Sequence, residues 1–318
     1  MNKRAPVPMV VVGGYLGAGK TTMLNRLLAN GEGRRITLLV NDFGEINIDA
    51  VLVRSRSDDV IQLENGCICC SIGGRLAAAL VEIGQREKRP DLLVIEASGV
   101  SDPQRIAQVG LLDAALRLNG VVVAVDAESV FERLADPLVG DMVRRQITGA
   151  SAVVLTKADL AGPTGLERAR ALMAEIAPQA TVLVAHHGDV PWEVFADVAE
   201  PRPVSPGLLD GREGWHSVSG AAQHAGIRTL AYRTGRVFDK SRLCQALKNL
   251  PVRLLRAKGV VRLAGDVCLH EVHLVGGRLR IGRLACTDRM SESALVFIGA
   301  FGDAAEAAVR ATMDQAVV

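Results

Sequence analysis

The stretch VVVGGYLGAGKTTMLNRLL, residues 10–28, decides the fold because it places a phosphate-binding loop between an apolar strand and an amphipathic helix. It matches the pattern G-x-x-x-x-G-K-[ST], whose backbone N–H groups close around phosphates at a helix N-terminus. In this pattern Lys20 neutralises the β- and γ-phosphates, and the hydroxyl of Thr21 ligates Mg²⁺. A glycine turn without a ligand is the alternative. The sequence therefore predicts a nucleoside triphosphate site formed by Gly14, Gly17, Ala18, Gly19, Lys20, Thr21 and Thr22.

The composition is typical of a two-domain protein with a large aliphatic core, since the 318 residues are 49% hydrophobic but only 3% aromatic. The formal charge of +2, from 37 basic and 35 acidic residues, gives no electrostatic signal for nucleic acid or a membrane. The first apolar run, Val7–Val12, is too short for a signal peptide, and no stretch reaches the roughly 20 apolar residues of a membrane span. We therefore expect a cytoplasmic protein whose six cysteines are reduced thiols that bind metal or react.

Beyond the first helix, apolar strand-like runs alternate with helical patterns. The runs are Ile36–Val40, Leu92–Ile95, Val121–Val125, Ala152–Leu155 and Thr181–Val184, and the helical segments include Gly73–Arg89 and Ser129–Thr148. This alternation predicts an α/β fold, a P-loop NTPase parallel sheet with helices on both faces. Because ligands of such sheets bind at the carboxyl ends of the strands, the residues after each strand are candidates for chemistry.

Two strand ends carry acidic residues suited to a Mg²⁺ site. Asp42, in the turn NDFGE after the second strand, is predicted to hold Mg²⁺ through water or to position the attacking water. Glu96 stands where a Walker B carboxylate belongs, and the N–H of Gly99 is expected to reach the γ-phosphate. A solvated turn at Asp42 and helix capping by Glu96 are the alternatives. The predicted catalytic residues are thus Lys20, Asp42, Glu96 and Gly99.

Thr156-Lys157-Ala158-Asp159, at another strand end, differs at one position from the N-K-x-D signature that reads guanine. The Asp159 carboxylate would accept hydrogen bonds from the base N1–H and N2–H₂, which adenine lacks, while the stem of Lys157 covers the ring. The tetrapeptide therefore favours GTP and GDP. Since Thr156 replaces the Asn that normally braces this loop, we expect looser base selection. A strand-end turn without base contact is the alternative.

A second chemical centre is the segment ENGCICC, residues 64–70. In an extended segment Cys67 and Cys69 point to one side, and Cys70 closes a three-thiolate face suited to a soft metal such as Zn²⁺ or Co²⁺. Structural zinc sites usually have four protein ligands, whereas three suit an exchangeable metal. Buried cysteines acting as small hydrophobes are the alternative. Because this segment closely follows the predicted switch at Asp42, we expect nucleotide state to alter its geometry.

The pattern changes after a segment rich in proline and glycine, residues 201–214. We predict a P-loop GTPase domain over 1–200, a linker over 201–214, and a smaller α+β domain over 215–318. Its expected elements are strands at Ile227–Tyr232, Gly259–Leu263, Val267–Leu274, Leu279–Arg283 and Ala294–Gly299, and helices at Lys240–Leu250 and from Asp303.

Three further groups of residues invite a functional interpretation: His270 and His273 with Cys268 and Glu271; His186 and His187; and Arg256 with Lys258. In a strand Cys268 and His270 share a face and His273 takes the other, so ordinary strand residues are favoured over a second metal site. A plain loop is favoured over a nucleotide contact for the adjacent histidines. For the basic pair, an anion-binding patch and a solvated turn stay open.

The motifs GGYLGAGKT (13–21), NDFGE (41–45), ENGCICC (64–70), EASGVSDP (96–103) and TKAD (156–159) occur in the order found in CobW-type proteins. The chain resembles this family of P-loop GTPases related to UreG and HypB. RAKG (256–259) and VFIG (296–299) resemble its C-terminal domain. The resemblance implies GTP-dependent allocation of Zn²⁺ or Co²⁺, carried by Cys67, Cys69 and Cys70. The chain departs from the family pattern at Asp42, at Thr156 and in having no histidine-rich run.

Taken together, the sequence predicts a GTP-hydrolysing metallochaperone with the cofactors GTP/GDP, Mg²⁺ and Zn²⁺ (or Co²⁺). Its expected partner is a client metalloprotein or a metal-cofactor biosynthesis enzyme, with a possible homo-oligomer and neither nucleic acid nor membrane as partner. Two alternatives remain. A GTP-switch binding protein with a structural zinc would keep its metal through the nucleotide cycle. A P-loop small-molecule kinase would prefer ATP and would leave the cysteines unexplained.

Overall fold

The computed structural model describes residues 5–31, 33–40, 60–62, 72–196, 216–217, 227–284 and 292–318. The chain divides into two compact units, Met1–Asp197 and Val198–Val318. The predicted linker, 201–214, lies outside the described residues. Over the described ranges, no helix is both long and apolar enough to cross a membrane.

A parallel sheet forms the centre of the first unit. Its strands within the described residues are β1 (Val7–Gly13), β2 (Ile36–Val40), β3 (Val60–Gln62), β4 (Leu92–Glu96), β5 (Leu116–Asp126), β6 (Ala152–Thr156) and β7 (Thr181–Val184). They lie in the order β3-β2-β4-β1-β5-β6-β7, and neighbouring strands are parallel. Continuous aliphatic runs form these strands because a strand covered on both faces needs apolar side chains at successive positions. The predicted P-loop NTPase sheet is confirmed.

The helices of this unit are α1 (Lys20–Asn30), α2 (Ile72–Gln85), α3 (Pro103–Leu111), α4 (Val130–Ala135), α5 (Gly140–Thr148) and α6 (Ala158–Ile176). The helical segment predicted over Ser129–Thr148 is divided into two helices, α4 and α5. Asp136 is extended at the break between α4 and α5, because the residue before Pro137 is disfavoured in helical conformation. A second interruption occurs within α6, where Gly162 has non-helical angles before Pro163.

The order of the strands brings distant parts of the chain to one edge of the sheet. β1 lies between β4 and β5, with Val12 opposite Glu96, and Asp126 at the end of β5 lies opposite Thr156 at the end of β6. Because the strands are parallel, their carboxyl ends and the loop after β1 share this edge.

The second unit contains an antiparallel sheet in the order β12-β11-β10-β13-β9-β8. Its described elements are β8 (His216–Ser217), β9 (Arg228–Thr234), α7 (Lys240–Lys248), β10 (Leu254–Arg262), β11 (Leu269–Val275), β12 (Arg278–Arg283), β13 (Ser293–Gly299) and α8 (Asp303–Asp314). The smaller α+β architecture is confirmed. The solvated turn considered at Arg256 and Lys258 is wrong, because both lie in β10 and Arg256 is buried.

The two sequence motifs of this unit are neighbours in the sheet. Ala257 of β10 lies opposite Phe297 of β13, and Gly259 lies opposite Leu295. A Cβ on Gly259 would lie only 2.0 Å from the carbonyl oxygen of Ala294, so the backbones approach closely at this glycine. This close approach explains why β10 has a glycine at position 259.

Candidate functional site

The loop after β1 has the backbone geometry of a phosphate-binding loop. Gly14 and Gly19 have φ angles of +130° and +87°, which favour glycine. A Cβ on Gly14 would also lie 2.3 Å from the carbonyl oxygen of Ala124, so the loop is seated directly against β5. Gly19 immediately precedes α1, whose first-turn N–H groups and dipole favour an anion at this end.

Lys20 folds its ammonium group back into this loop. Its Nζ donates hydrogen bonds to the carbonyl oxygens of Gly14, at 3.0 Å, and Tyr15, at 3.4 Å. The side chain is buried, so its charge is held over the loop instead of extending into solvent. Thr21 and Thr22 follow in the first turn of α1. The structure thus brings the predicted phosphate contacts into one short loop.

The segment after β4 packs against the same loop. Glu96 is buried at the end of β4, opposite Val12 of β1 and Val40 of β2. Three residues later, a Cβ on Gly99 would lie 2.8 Å from the backbone nitrogen of Leu16. Only a residue without a side chain allows this approach to the phosphate loop, which explains why residue 99 is glycine. Its contact with the γ-phosphate stays a prediction.

Thr156 joins the TKAD loop to the phosphate loop. Its buried Oγ1 lies 2.9 Å from the carbonyl oxygen of Ala18 and 3.2 Å from that of Val125, so the hydroxyl donates to one of them at a time. The hydroxyl therefore braces the phosphate loop from the end of β6, although threonine lacks the amide of the N-K-x-D signature.

Lys157 is paired with a carboxylate that the sequence analysis missed. Its Nζ donates to Oδ2 of Asp126 at 2.7 Å, and Lys157 itself has a left-handed φ of 52°. Burial raises the pKa of Asp126, but hydrogen bonds from Lys157, Ser129 and the Glu128 N–H outweigh that effect and hold the pKa below its ordinary value. Asp126 follows the run Val121–Val125, so the strand-end rule could have found it.

Asp159 is exposed in the first turn of α6, two residues after Lys157. The break at Gly162 leaves this turn as a short helical segment of its own. An exposed carboxylate at this position is accessible to a ligand outside the carboxyl end of the sheet.

The loop after β7 lies against the start of α1. A Cβ on Gly188, whose φ is +77°, would lie 2.9 Å from the backbone nitrogen of Met23 and from the carbonyl carbon of Thr22. Farther along α1, the side-chain amide of Asn30 donates to Asp189 at 3.3 Å. The loop that carries His186 and His187 therefore lies against the first turn of α1 through Gly188.

These contacts give the first unit the geometry expected of a P-loop nucleotide-binding domain. The profile of the CobW/HypB/UreG nucleotide-binding domain matches residues 8–184, more than half of the chain. This chain belongs to the CobW/HypB/UreG family. The profile of the cobalamin synthesis protein cobW C-terminal domain matches residues 227–317, so the resemblance of both units to CobW proteins is confirmed.

Two relatives named as zinc chaperones align with most of the chain. The zinc chaperone CobW of a Sinorhizobium species is 28% identical over 344 aligned positions, covering 96% of each chain. The zinc chaperone YjiA of Escherichia coli is 29% identical and covers 82% of this chain and 83% of its own. The crystal structure of Zn(II)-bound YjiA GTPase from E. coli, at 22% identity, covers 98% of this chain and 99% of that chain with a TM-score of 0.48.

Four predicted site residues of this CobW-family chain, Asp42, Cys67, Cys69 and Cys70, lie outside the described residues. Their roles in Mg²⁺ and Zn²⁺ (or Co²⁺) binding therefore stay predictions from the sequence.

The second metal site considered around His270 does not form. His270 contacts Asp266 at 3.4 Å, and over the described ranges no group of three or more His, Cys, Asp and Glu side chains could hold a metal ion. Cys268 is disulfide-bonded, contrary to the expectation that all cysteines are reduced thiols, whereas Cys244 in α7 is a free cysteine. Ordinary structural roles therefore account for Cys268 and His270.

Proposed function

We propose that this CobW-family protein is a GTP-hydrolysing metallochaperone. It binds Zn(II) or Co(II) through Cys67, Cys69 and Cys70 and delivers the metal to a client metalloprotein or a metal-cofactor biosynthesis enzyme under nucleotide control. The observation that carries the nucleotide part is the buried Lys20 side chain, whose ammonium group folds back onto the carbonyl oxygens of Gly14 and Tyr15 in the loop before α1. The metal part is supported by relatives named zinc chaperone and zinc-regulated GTPase metalloprotein activator.

The phosphates of GTP bind at the N-terminus of α1. There Lys20 exchanges the carbonyl contacts within its own loop for the stronger contact with phosphate oxygens. The hydroxyl of Thr21 and the buried carboxylate of Glu96 supply oxygen donors, which are the ligands that Mg²⁺ prefers, so these residues fit that ion and would hold it together with Asp42. When bound, Mg²⁺ would neutralise the phosphate charge that develops during hydrolysis.

Hydrolysis transfers the γ-phosphoryl group to water, so that GTP and water give GDP and inorganic phosphate. Lys20 neutralises charge on the transferred group, and the N–H of Gly99, held against the phosphate loop, donates to a γ-phosphate oxygen. Asp42 positions the attacking water. On the base side, Asp159 accepts from the guanine N1–H and N2–H₂, while Asp126 fixes the ammonium end of Lys157.

The cysteine segment follows Asp42 closely in the sequence, so a change at the γ-phosphate is transmitted along a short stretch of chain. One nucleotide state builds a three-thiolate site, and the other releases the metal to the client. Three protein ligands leave a position through which a client ligand enters.

The deciding experiment titrates Zn²⁺ and Co²⁺ against a chromophoric chelator, with protein alone, with Mg²⁺–GDP and with Mg²⁺ and a non-hydrolysable GTP analogue. We expect metal affinity to differ at least about tenfold between nucleotide states, a coupling of about 1.4 kcal/mol, and Cys67→Ser to lose the difference. Cys244→Ser, which removes the free thiol of α7, is the matched control and should behave as wild type.

Equal metal affinity in every state would contradict nucleotide-gated delivery. Metal that also resists chelation would then identify a GTP switch with a structural zinc. A preference for ATP over GTP with phosphoryl transfer to a small acceptor would instead identify a kinase.

A further inference from the structure

A buried glutamine holds the segment between β4 and α3. Gln146 in α5 is only 1% exposed, and its Nε2 donates to the carbonyl oxygens of Gly99, at 3.2 Å, and Ser101, at 2.8 Å. A glutamine amide group has two N–H donors. Each of them binds one of these carbonyl oxygens, which belong to residues only two positions apart. The backbone of this segment is therefore fixed by a side chain that lies 47 residues away in the sequence.

A second glutamine makes the reciprocal contact. Gln104, in the first turn of α3, donates its side-chain amide to the carbonyl oxygen of Gly149, which follows α5. A Cβ on Gly149 would meet the side chain of Gln104, so the two residues are in close contact. We name Gln146, Gln104 and their three acceptor residues the amide clasp.

The held segment also touches the phosphate loop at Leu16 and the end of β1 at Gly13. Gly99 approaches Leu16 so closely that a Cβ would lie 2.8 Å from the Leu16 nitrogen. Pro103, the first residue of α3, lies against Gly13, where a Cβ would be 2.8 Å from the proline Cγ. The segment from 97 to 103 is therefore held between the phosphate loop and the amide clasp.

We propose that Gln146 is a positioning residue that makes the nucleotide site sensitive to the γ-phosphate. By fixing the carbonyls of Gly99 and Ser101, it keeps the Gly99 N–H in place before the nucleotide arrives, so that little reorganisation is needed when charge develops on the γ-phosphoryl group. GDP has no γ-phosphate and gains nothing from this arrangement. The inference rests on the proposed GTP hydrolysis.

The test is Gln146→Met in the full chain, which keeps the length and volume of the side chain and removes both donors. Dissociation constants for GDP and for a non-hydrolysable GTP analogue are measured by competition with a fluorescent nucleotide, and kcat by phosphate release. We expect the affinity ratio of the GTP analogue to GDP to fall at least fivefold and kcat to fall at least tenfold, with GDP affinity within twofold of wild type.

Gln179→Met is the matched control, because the exposed Gln179 amide donates to the Thr148 carbonyl at the end of the same helix, at 2.7 Å, without touching the held segment. It should leave all three quantities unchanged. If Gln146→Met does not fold, Gln104→Met removes the other half of the clasp and is expected to lower the same affinity ratio and kcat.

Two results would overturn the inference. Equal losses of GDP and GTP-analogue affinity would show that the clasp only supports the fold, and an unchanged ratio with unchanged kcat would show that it has no role. Both results are interpretable only if the wild-type protein hydrolyses GTP. A wild type that binds no GTP would instead contradict the proposed function.

Discussion

Nζ of Lys157 lies 2.7 Å from Oδ2 of Asp126 and joins the TKAD loop after β6 to the end of β5. The carboxylate is mostly buried, with 13% of its side chain exposed, whereas the lysine side chain is 38% exposed. The pair therefore holds the charged end of Lys157 at the sheet and leaves part of its aliphatic stem accessible. This arrangement suits the predicted stacking of a purine ring on the stem of Lys157.

We predict that Asp126→Asn weakens GDP binding about three- to tenfold, corresponding to about 0.7–1.4 kcal/mol, because the amide holds the lysine less tightly than a carboxylate does. Competition with a fluorescent nucleotide measures the change. Asp141→Asn, on the exposed first turn of α5, removes the same charge away from Lys157 and should leave GDP affinity unchanged. Equal losses in both variants would mean that net charge, and not the pair, sets the affinity.

The same aspartate predicts a pH dependence of stability. Although burial raises its pKa, hydrogen bonds from Lys157, Ser129 and the Glu128 N–H lower the pKa of Asp126 below 3.8 in the folded protein. The stabilisation it contributes is therefore present above pH 3.8 and is lost as the pH falls through the lowered pKa. We expect the difference in unfolding free energy between wild type and Asp126→Asn to shrink from pH 6 to pH 3 in chemical denaturation. A constant difference would contradict the assigned shift.

We predict that Thr156→Val lowers the unfolding free energy by about 1–2 kcal/mol, because it removes the hydroxyl that donates to the buried carbonyl oxygen of Ala18 or Val125. GDP and GTP-analogue affinities should fall by similar factors, since the hydroxyl braces the whole phosphate loop through Ala18. Thr156→Ser keeps the hydroxyl and is expected to retain most of both properties. Chemical denaturation and nucleotide titration measure them, and a valine variant as stable as wild type would contradict the bracing.

Gly188 and Gly33 form a matched pair, with φ angles of +77° and +76°. Alanine at either position costs about 1 kcal/mol in backbone strain. At Gly33 no atom of the described residues lies within 4 Å of the added Cβ, whereas at Gly188 the Cβ would press on the first turn of α1 at Thr22 and Met23. We expect Gly188→Ala to be about 1–3 kcal/mol less stable than Gly33→Ala and to bind GDP more weakly. Indistinguishable variants would mean that the β7 loop moves away without cost.

Lys20→Ala is predicted to abolish detectable binding of GDP and of a GTP analogue, because the phosphates lose their buried positive charge. Isothermal calorimetry measures this directly. Lys248→Ala, in the last turn of α7 in the second unit, is the control and should bind as wild type. Unchanged GTP affinity in the Lys20 variant would remove the basis of the proposed function.

Much of the candidate nucleotide site could be predicted because its signals are local. Gly14, Gly19 and Lys20 are fixed by a short loop whose backbone angles and charge belong to one stretch of chain. Aliphatic runs predicted the parallel strands for the same reason, since burial on both faces acts on every residue of a strand. The break between α4 and α5 was missed, although Pro137 marks it, because the helical period continues on both sides.

The sequence by itself determined the phosphate loop, the α/β fold with its smaller second unit, and which residues lie at the carboxyl ends of the parallel strands. Only the tertiary structure paired Lys157 with Asp126, 31 residues away, and Gln146 with Gly99, 47 residues away. The sequence alone does not show which lysine or glutamine makes such a contact. Which one does so depends on the strand order, since parallel strands joined by helices bring together residues that are far apart in sequence.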